Sequence, residues 1–258
     1  MSNTGSFALI TGGSSGIGFQ LARCFAKDKH PIILAARGED RLKQASEALR
    51  TEGAPRVETI SVDLSKSDGP AKLFQAVHQL GVQVEYLVND AGVGVFGDFV
   101  RMTDLSDELS MIQLNVVATV QLTKLFAPAM VERRSGRILN LSSITSKAPS
   151  PNLAIYSATK AFNQVFSEAI ANELKDTGVT VTALMPDLVG TNFFQQAGMA
   201  DTAVGKSEKA DPAQVAEIGY RAMMKGEDHV IAPPKSRLTA ALASVLPESF
   251  ITEKAKAK

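Results

Sequence analysis

The sequence predicts an α/β fold: a single doubly wound domain whose seven-stranded parallel sheet is flanked by helices. Three observations carry this. Short apolar, β-rich runs alternate with longer helical patterns over residues 7–232, the order that right-handed βαβ crossovers produce. Runs such as IILAA (32–36) and TVTAL (180–184) are apolar at consecutive positions, as in strands buried on both faces. A glycine-rich turn, TGGSSGIG (11–18), joins the first strand to the first helix.

Strand 7–11 ends at Gly12-Gly13, and helix 17–27 starts beyond the turn. Strand 31–36 contains the IILAA run. Glu39 and Asp40 then open helix 40–51, where the helix dipole favours negative charge. Strand 57–62 closes in SVDLS, and helix 70–80 follows. Strand 84–88 runs into the turn Asn89-Asp90-Ala91-Gly92. Helix 105–133 holds the most apolar stretch, 116–131; Gln121 and Lys124 interrupt it short of the ~20 apolar residues of a bilayer span. Strand 137–141 leads to Ser142-Ser143, and helix 154–177 carries Tyr156 and Lys160. Strand 179–184 leads to Pro186. The segment 186–210 has no strong period and mixes glycines with Phe193, Phe194 and Met199. So long a loop in a compact domain is usually functional or disordered. Helix 212–225 and strand 229–232 complete the sheet.

No repeat or composition break divides the 258 residues, so one domain spans 1–258, with its core over about 6–232 and a frayed tail over about 247–258. Lys plus Arg equals Asp plus Glu, 27 each, which leaves no long-range pull toward nucleic acid or an anionic membrane. The lone cysteine, Cys24, excludes an internal disulfide and reads as a packing residue. No leader is visible in residues 1–6, and the chain reads as cytoplasmic. No metal is called for.

The opening turn fits two patterns. Gly12-Gly13-Ser14-Ser15-Gly16 matches G-x-S-x-G, a hydrolase nucleophile elbow. That elbow borrows an N–H from a loop after an earlier strand, and only eleven residues precede Gly12. The three histidines, His30, His78 and His229, sit in no suggestive motif. As a phosphate cradle, each glycine has a reason: Gly12 for the tight bend, Gly16 for close backbone approach, Gly18 for helix-on-strand packing. The free N–H groups of the helix start suit a pyrophosphate, and Ser14, Ser15 and Ile17 lie beside it.

Further motifs occur in order: LVNDAGVGVFGDF (87–99), ILNLSSITS (138–146), YSATK (156–160) and ALMPDLVGT (183–191). With TGGSSGIG they resemble the short-chain dehydrogenase/reductase family over roughly residues 6–232. The resemblance implies a Rossmann-type domain and a catalytic tetrad of Asn115, Ser143, Tyr156 and Lys160. Family spacing selects Ser143 over Ser142. It further implies Asp63 and Leu64 around adenine, Asn89, Ala91 and Gly92 along the ribose, and Pro186, Val189 and Thr191 at the carboxamide. Segment 188–210 corresponds to the substrate lid.

Tyr156 and Lys160 stand at i and i+4, on one face of a helix. A free tyrosine has a pKa of about 10, and lowering it by about three units takes about 4 kcal/mol of preferential phenolate stabilisation. The Lys160 ammonium and the oxidised nicotinamide ring are the expected sources. Ser143 is expected to bond the substrate oxygen, Asn115 to hold a water linking Lys160 to solvent, and Lys160 to grip the ribose.

Where NAD-specific folds place an acid after the second strand, the sequence has Ala36 followed by Arg37. Arginine binds a 2′-phosphate bidentately, so NADP(H) is preferred, with NAD(H) the alternative, and Arg41 stands near enough to assist. Asp90 and Asp187 depart from the family pattern, which has asparagine and glycine there. The expected activity is reversible hydride transfer between an NADP(H) cofactor and a mainly apolar ketone or aldehyde, with Tyr156 as general acid/base. The alternative is an impaired dinucleotide-binding regulator or scaffold. A homodimer or homotetramer through helices 105–133 and 154–177 is expected.

Overall fold

The computed structural model describes residues 6–234 and 236. Its strands are β1 (Phe7–Thr11), β2 (Ile32–Ala36), β3 (Val57–Ser61), β4 (Val84–Asn89), β5 (Gly136–Leu141), β6 (Val179–Pro186) and β7 (His229–Ala232). They form one parallel sheet in the order β3-β2-β1-β4-β5-β6-β7. The order reverses between β1 and β4, and that switch point is where an open α/β sheet binds ligands.

The apolar runs are explained by which way their side chains point. Successive residues of a strand face opposite sides of the sheet. Ala8, Ile10, Ile32 and Leu34 pack under α1 (Gly16–Lys27), α2 (Glu39–Thr51) and α9 (Pro212–Lys225). Their neighbours Leu9 and Ile33 pack on the other side, under α3 (Gly69–Gln79) and α5 (Ala118–Glu132). Every residue of β1 is therefore buried.

Two departures from the expected elements lie at the site. The predicted helix 105–133 is three pieces: α4 (Leu105–Ile112), a π turn (Gln113–Val117) and α5. By length and composition Leu105–Glu132 could cross a bilayer, but here it covers the sheet through Leu122, Phe126 and Met130. The π turn brings in Asn115, and the Asn115 carbonyl accepts from Thr119 Oγ1 (3.1 Å) and Asn163 Nδ2 (3.0 Å). Such bulges re-aim helix groups at functional sites. The lid also has structure: α7 (Phe193–Gln196), α8 (Ala203–Lys206) and a parallel bridge of Val189 to Ala210. Between β5 and α6 (Ala154–Glu173) lies a short 3₁₀ turn, Ile144–Lys147. The helix expected to reach 177 ends at Glu173. The tail predicted at 247–258 lies outside the described residues.

Candidate active site

A cavity of about 970 Å³ opens along the carboxyl ends of the strands, from Arg37 and Asp63 at one end to the lid at the other. Gly12, Ser14, Ser15, Gly16 and Ile17 line it. Gly12 (φ +69°) and Gly16 (φ +58°) adopt left-handed conformations, which glycine enters without steric cost. A Cβ on Gly18 would lie 2.5 Å from Asp90 Oδ2 and 2.8 Å from the Gly12 carbonyl. Gly18 is thus the packing glycine, as predicted. Helix α1 has no acidic residue in its first turn and no side-chain cap from Ser15. The Gly18 N–H is held by the Asp90 carboxylate, and the remaining unpaired N–H groups of the helix start fit a pyrophosphate. None of the three histidines lines the cavity, so Ser14 has no base at hand and the hydrolase reading has no support here.

Arg37 and Arg41 both line the end of the cavity beyond β2, whereas Glu39 and Asp40 do not. The latter serve as first-turn acids of α2. Leu64 and Asp63 close the same end. The Asp63 carboxylate is also a turn-former, accepting from the Ser65 amide (3.0 Å) and hydroxyl (2.7 Å). Burial pushes this carboxyl up, but the Ser65 bonds and the Arg37 charge bring it below the usual range.

Ala91 and Gly92 line the cavity; Asn89 does not. Asn89 points beneath the site and donates to Asn140 (2.8 Å) and Thr123 (3.3 Å). The Asp90-Ala91 turn is pinned to β1, both amides donating to Thr11 Oγ1 at 3.1 Å.

At the centre, Ser143 and Tyr156 share the cavity wall. Ser142 is spent on structure, donating to the Lys160 carbonyl at 2.7 Å. This agrees with the choice of Ser143. Lys160 stands one layer back, 3% exposed, with Nζ donating to the Leu141 carbonyl (3.0 Å) and 5.8 Å from the Tyr156 ring centre. Burial pushes Lys160 down to about 8, with the Asp90 charge opposing. Burial pushes Tyr156 up to about 12; Ser143 pulls it down and Asp90 adds to the rise. The expected lowering of the tyrosine is therefore absent from the protein alone. Desolvation outweighs the nearby hydroxyl, and the lysine is turned to a carbonyl.

Asn115 is also behind the wall, 1% exposed. Its side chain makes three bonds: Oδ1 accepts from Val93 N (3.0 Å), and Nδ2 donates to Val93 O (2.9 Å) and Thr159 Oγ1 (3.1 Å). It clasps the β4 loop to the helices. The clasp uses both amide hydrogens and leaves one lone pair of Oδ1 for the water expected there. Sequence reasoning missed Asn163, which donates to the carbonyls of Asn115 (3.0 Å) and Leu141 (3.3 Å). Ser167 then donates to Asn163 O (2.6 Å) and accepts from Asn140 (2.9 Å). The signal was present: 156, 160, 163 and 167 are one helix face, and four polar residues fill it.

Pro186, Val189 and Thr191 line the cavity beside the lid. Asp187 also borders it, but its carboxylate accepts from Leu188 N (2.9 Å) and Ser236 Oγ (2.6 Å). Phe193, Phe194 and Met199 belong both to the pocket wall and to the lid's packing. All three line the cavity, and the last two are buried in the lid's own apolar cluster.

Comparison with known proteins identifies the family. Residues 6–201 match the short chain dehydrogenase family model. The very-long-chain 3-oxoacyl-CoA reductase of Mus musculus is 35% identical over 225 residues, 84% of this chain and 72% of that protein. The ketoacyl reductase HetN of Nostoc sp. is 30% identical over 232 residues, 88% of this chain and 78% of that one. A solved short-chain dehydrogenase from Sphingobium yanoikuyae, in complex with NADPH, is 29% identical. It covers 95% of this chain and 97% of its own, with a TM-score of 0.83. The chain belongs to the short-chain dehydrogenase/reductase family and is an oxidoreductase acting on the CH–OH/carbonyl couple.

Proposed function

We propose that this enzyme reduces an apolar ketone or aldehyde with NADPH, Tyr156 delivering the proton. The observation that carries the reading is one continuous cavity that joins the glycine turn and Arg37 to the Ser143–Tyr156 pair. When bound, the nicotinamide supplies the hydride. Ser143 orients the carbonyl oxygen and stabilises charge growing on it. Tyr156 gives its proton to that oxygen, and a phenol held protonated by burial is in the correct form for reduction. Buried Lys160 steadies the phenolate left behind, and the Asn115–Asn163 clasp fixes the backbone around it.

Arg37 and Arg41 at this end of the cavity, which Glu39 and Asp40 do not line, support NADPH over NADH. A 3-oxoacyl thioester, the kind of substrate named for the mouse relative, is the first candidate within the ketone class. Asp187 is turned to Ser236, which weakens the case for an impaired scaffold. The exposed Leu105 and Leu109 on α4 and Phe162 and Val165 on α6 are the face we assign to self-association into a homo-oligomer.

The test is a titration with NADPH and NADH, read by nucleotide fluorescence in a chain without tryptophan. A ketone screen for NADPH oxidation follows. Tighter NADPH binding and turnover support the proposal; binding of neither nucleotide would defeat it.

A further inference from the structure

Phe193 opens α7 and lies against the catalytic tyrosine, ring centres 5.1 Å apart and planes at 47°. Its far edge reaches Gly94. A Cβ built on Gly94 would stand 2.6 Å from Phe193 Cζ and 3.0 Å from Cε2. Gly94 has no positive φ among the described glycines. Its lack of a side chain therefore answers to the space the ring fills, not to backbone conformation. Phe194 meets Phe193 edge-on at 5.6 Å and is buried in the lid cluster. Lys209 Nζ sits 4.9 Å from the centre of the Phe194 ring. One phenylalanine thus anchors the lid while its neighbour faces the reacting position.

A carbonyl that accepts a proton from Tyr156 must bring one of its two carbon arms past a group packed on that tyrosine's ring. The Phe193 ring is held from both sides, by Gly94 and Tyr156, with Phe194 behind it. Room near the carbonyl carbon is thus limited where the arm begins.

We infer that Phe193, seated between Gly94 and Tyr156, sets the substrate specificity of the reaction proposed above. It admits ketones whose carbonyl is flanked by unbranched methylene carbons and excludes those branched beside the carbonyl. The inference rests on the reductase reading. It narrows the substrate class to straight-chain ketones, of which a 3-oxoacyl chain is one form.

The test compares two isomeric ketones, 4-heptanone and 2,4-dimethyl-3-pentanone, which differ only in branching beside the carbonyl. The NADPH-loaded enzyme is assayed as wild type, Phe193→Ala and Phe193→Leu. The wild type is expected to prefer the straight-chain isomer by about 10-fold or more in kcat/KM, the scale of one misplaced carbon in an apolar pocket. Phe193→Ala is expected to shrink that ratio by about 10-fold, with NADPH affinity unchanged. Phe193→Leu, which retains an apolar anchor if the alanine variant folds poorly, is expected to fall between them. Gly94→Ala is expected to lower kcat/KM for both ketones by pressing the ring toward Tyr156. Turnover with the same ratio in wild type and Phe193 variants overturns this inference and leaves the reductase standing. NADPH binding without turnover of either ketone or of a 3-oxoacyl thioester overturns the reductase reading and this inference with it.

Discussion

Replacing Asn115 by alanine separates a structural clasp from a water-holding residue. The side chain makes three hydrogen bonds from a 1% exposed position: two to the backbone of Val93 and one to Thr159. Thr159 retains its own bond to the Tyr156 carbonyl at 2.7 Å, so its loss is small. The Val93 N–H and C=O lose their partners together. A buried polar group left unsatisfied costs about 1–3 kcal/mol. Val93 is only half-buried, which puts the pair at the lower end, about 2–4 kcal/mol. For a chain of this size that is a fall in Tm of roughly 5–15 °C. The assay is a circular-dichroism melt at fixed protein concentration, which holds any effect of association on Tm constant. An Asn115→Ala enzyme with the wild-type Tm but reduced kcat would refute the clasp and leave only the water-holding role.

Arg37→Asp should weaken NADPH by about 10- to 100-fold, the worth of charge-assisted hydrogen bonds to a phosphate, and improve NADH. Comparative nucleotide titration reads this, and an unchanged preference would remove Arg37 from the 2′-phosphate site. Asp90→Asn tests the buried acid. Burial pushes the Asp90 carboxyl up to about 7, from a usual value of 3.8. A raised carboxyl contributes stability below the unfolded pKa that is lost as pH climbs through the folded one. The wild type should therefore lose Tm relative to Asp90→Asn between about pH 4 and pH 7. Removing that anion also lowers Tyr156, so the alkaline limb of the reduction profile should move to lower pH. Parallel melting and rate profiles in the two proteins would contradict both. Asp187→Gly cuts the bonds to Leu188 and Ser236 and adds backbone freedom. It should lower stability by about 2 kcal/mol while leaving NADPH binding intact, as melts and titrations will show.

The sheet was legible because buried parallel strands leave continuous apolar runs, and β1 and β7 match their predicted bounds residue for residue. The site was legible where chemistry fixes spacing: the glycine turn, Ser143, and the Tyr156–Lys160 face. What the sequence hid depends on partners far along the chain. The π turn at Gln113–Val117 has no local breaker, and Asn115 bonds Val93 and Thr159, 22 and 44 residues away. Asn89 looked like a ribose contact at a strand end, yet its amide goes to Asn140, 51 residues on. Asp187 stood out as a departure from the family's glycine, and its partner, Ser236, lies 49 residues on. The upward push that burial exerts on Tyr156 in the protein alone was not legible either, because no spacing reveals desolvation.

The central claim is that Tyr156 protonates a carbonyl reduced by NADPH. It is tested most directly by following NADPH oxidation with a 3-oxoacyl thioester in wild type and Tyr156→Phe, with nucleotide affinity measured on the same samples. The account predicts turnover in the wild type, none above background in the variant, and equal NADPH affinity in both. Turnover persisting in Tyr156→Phe would contradict it.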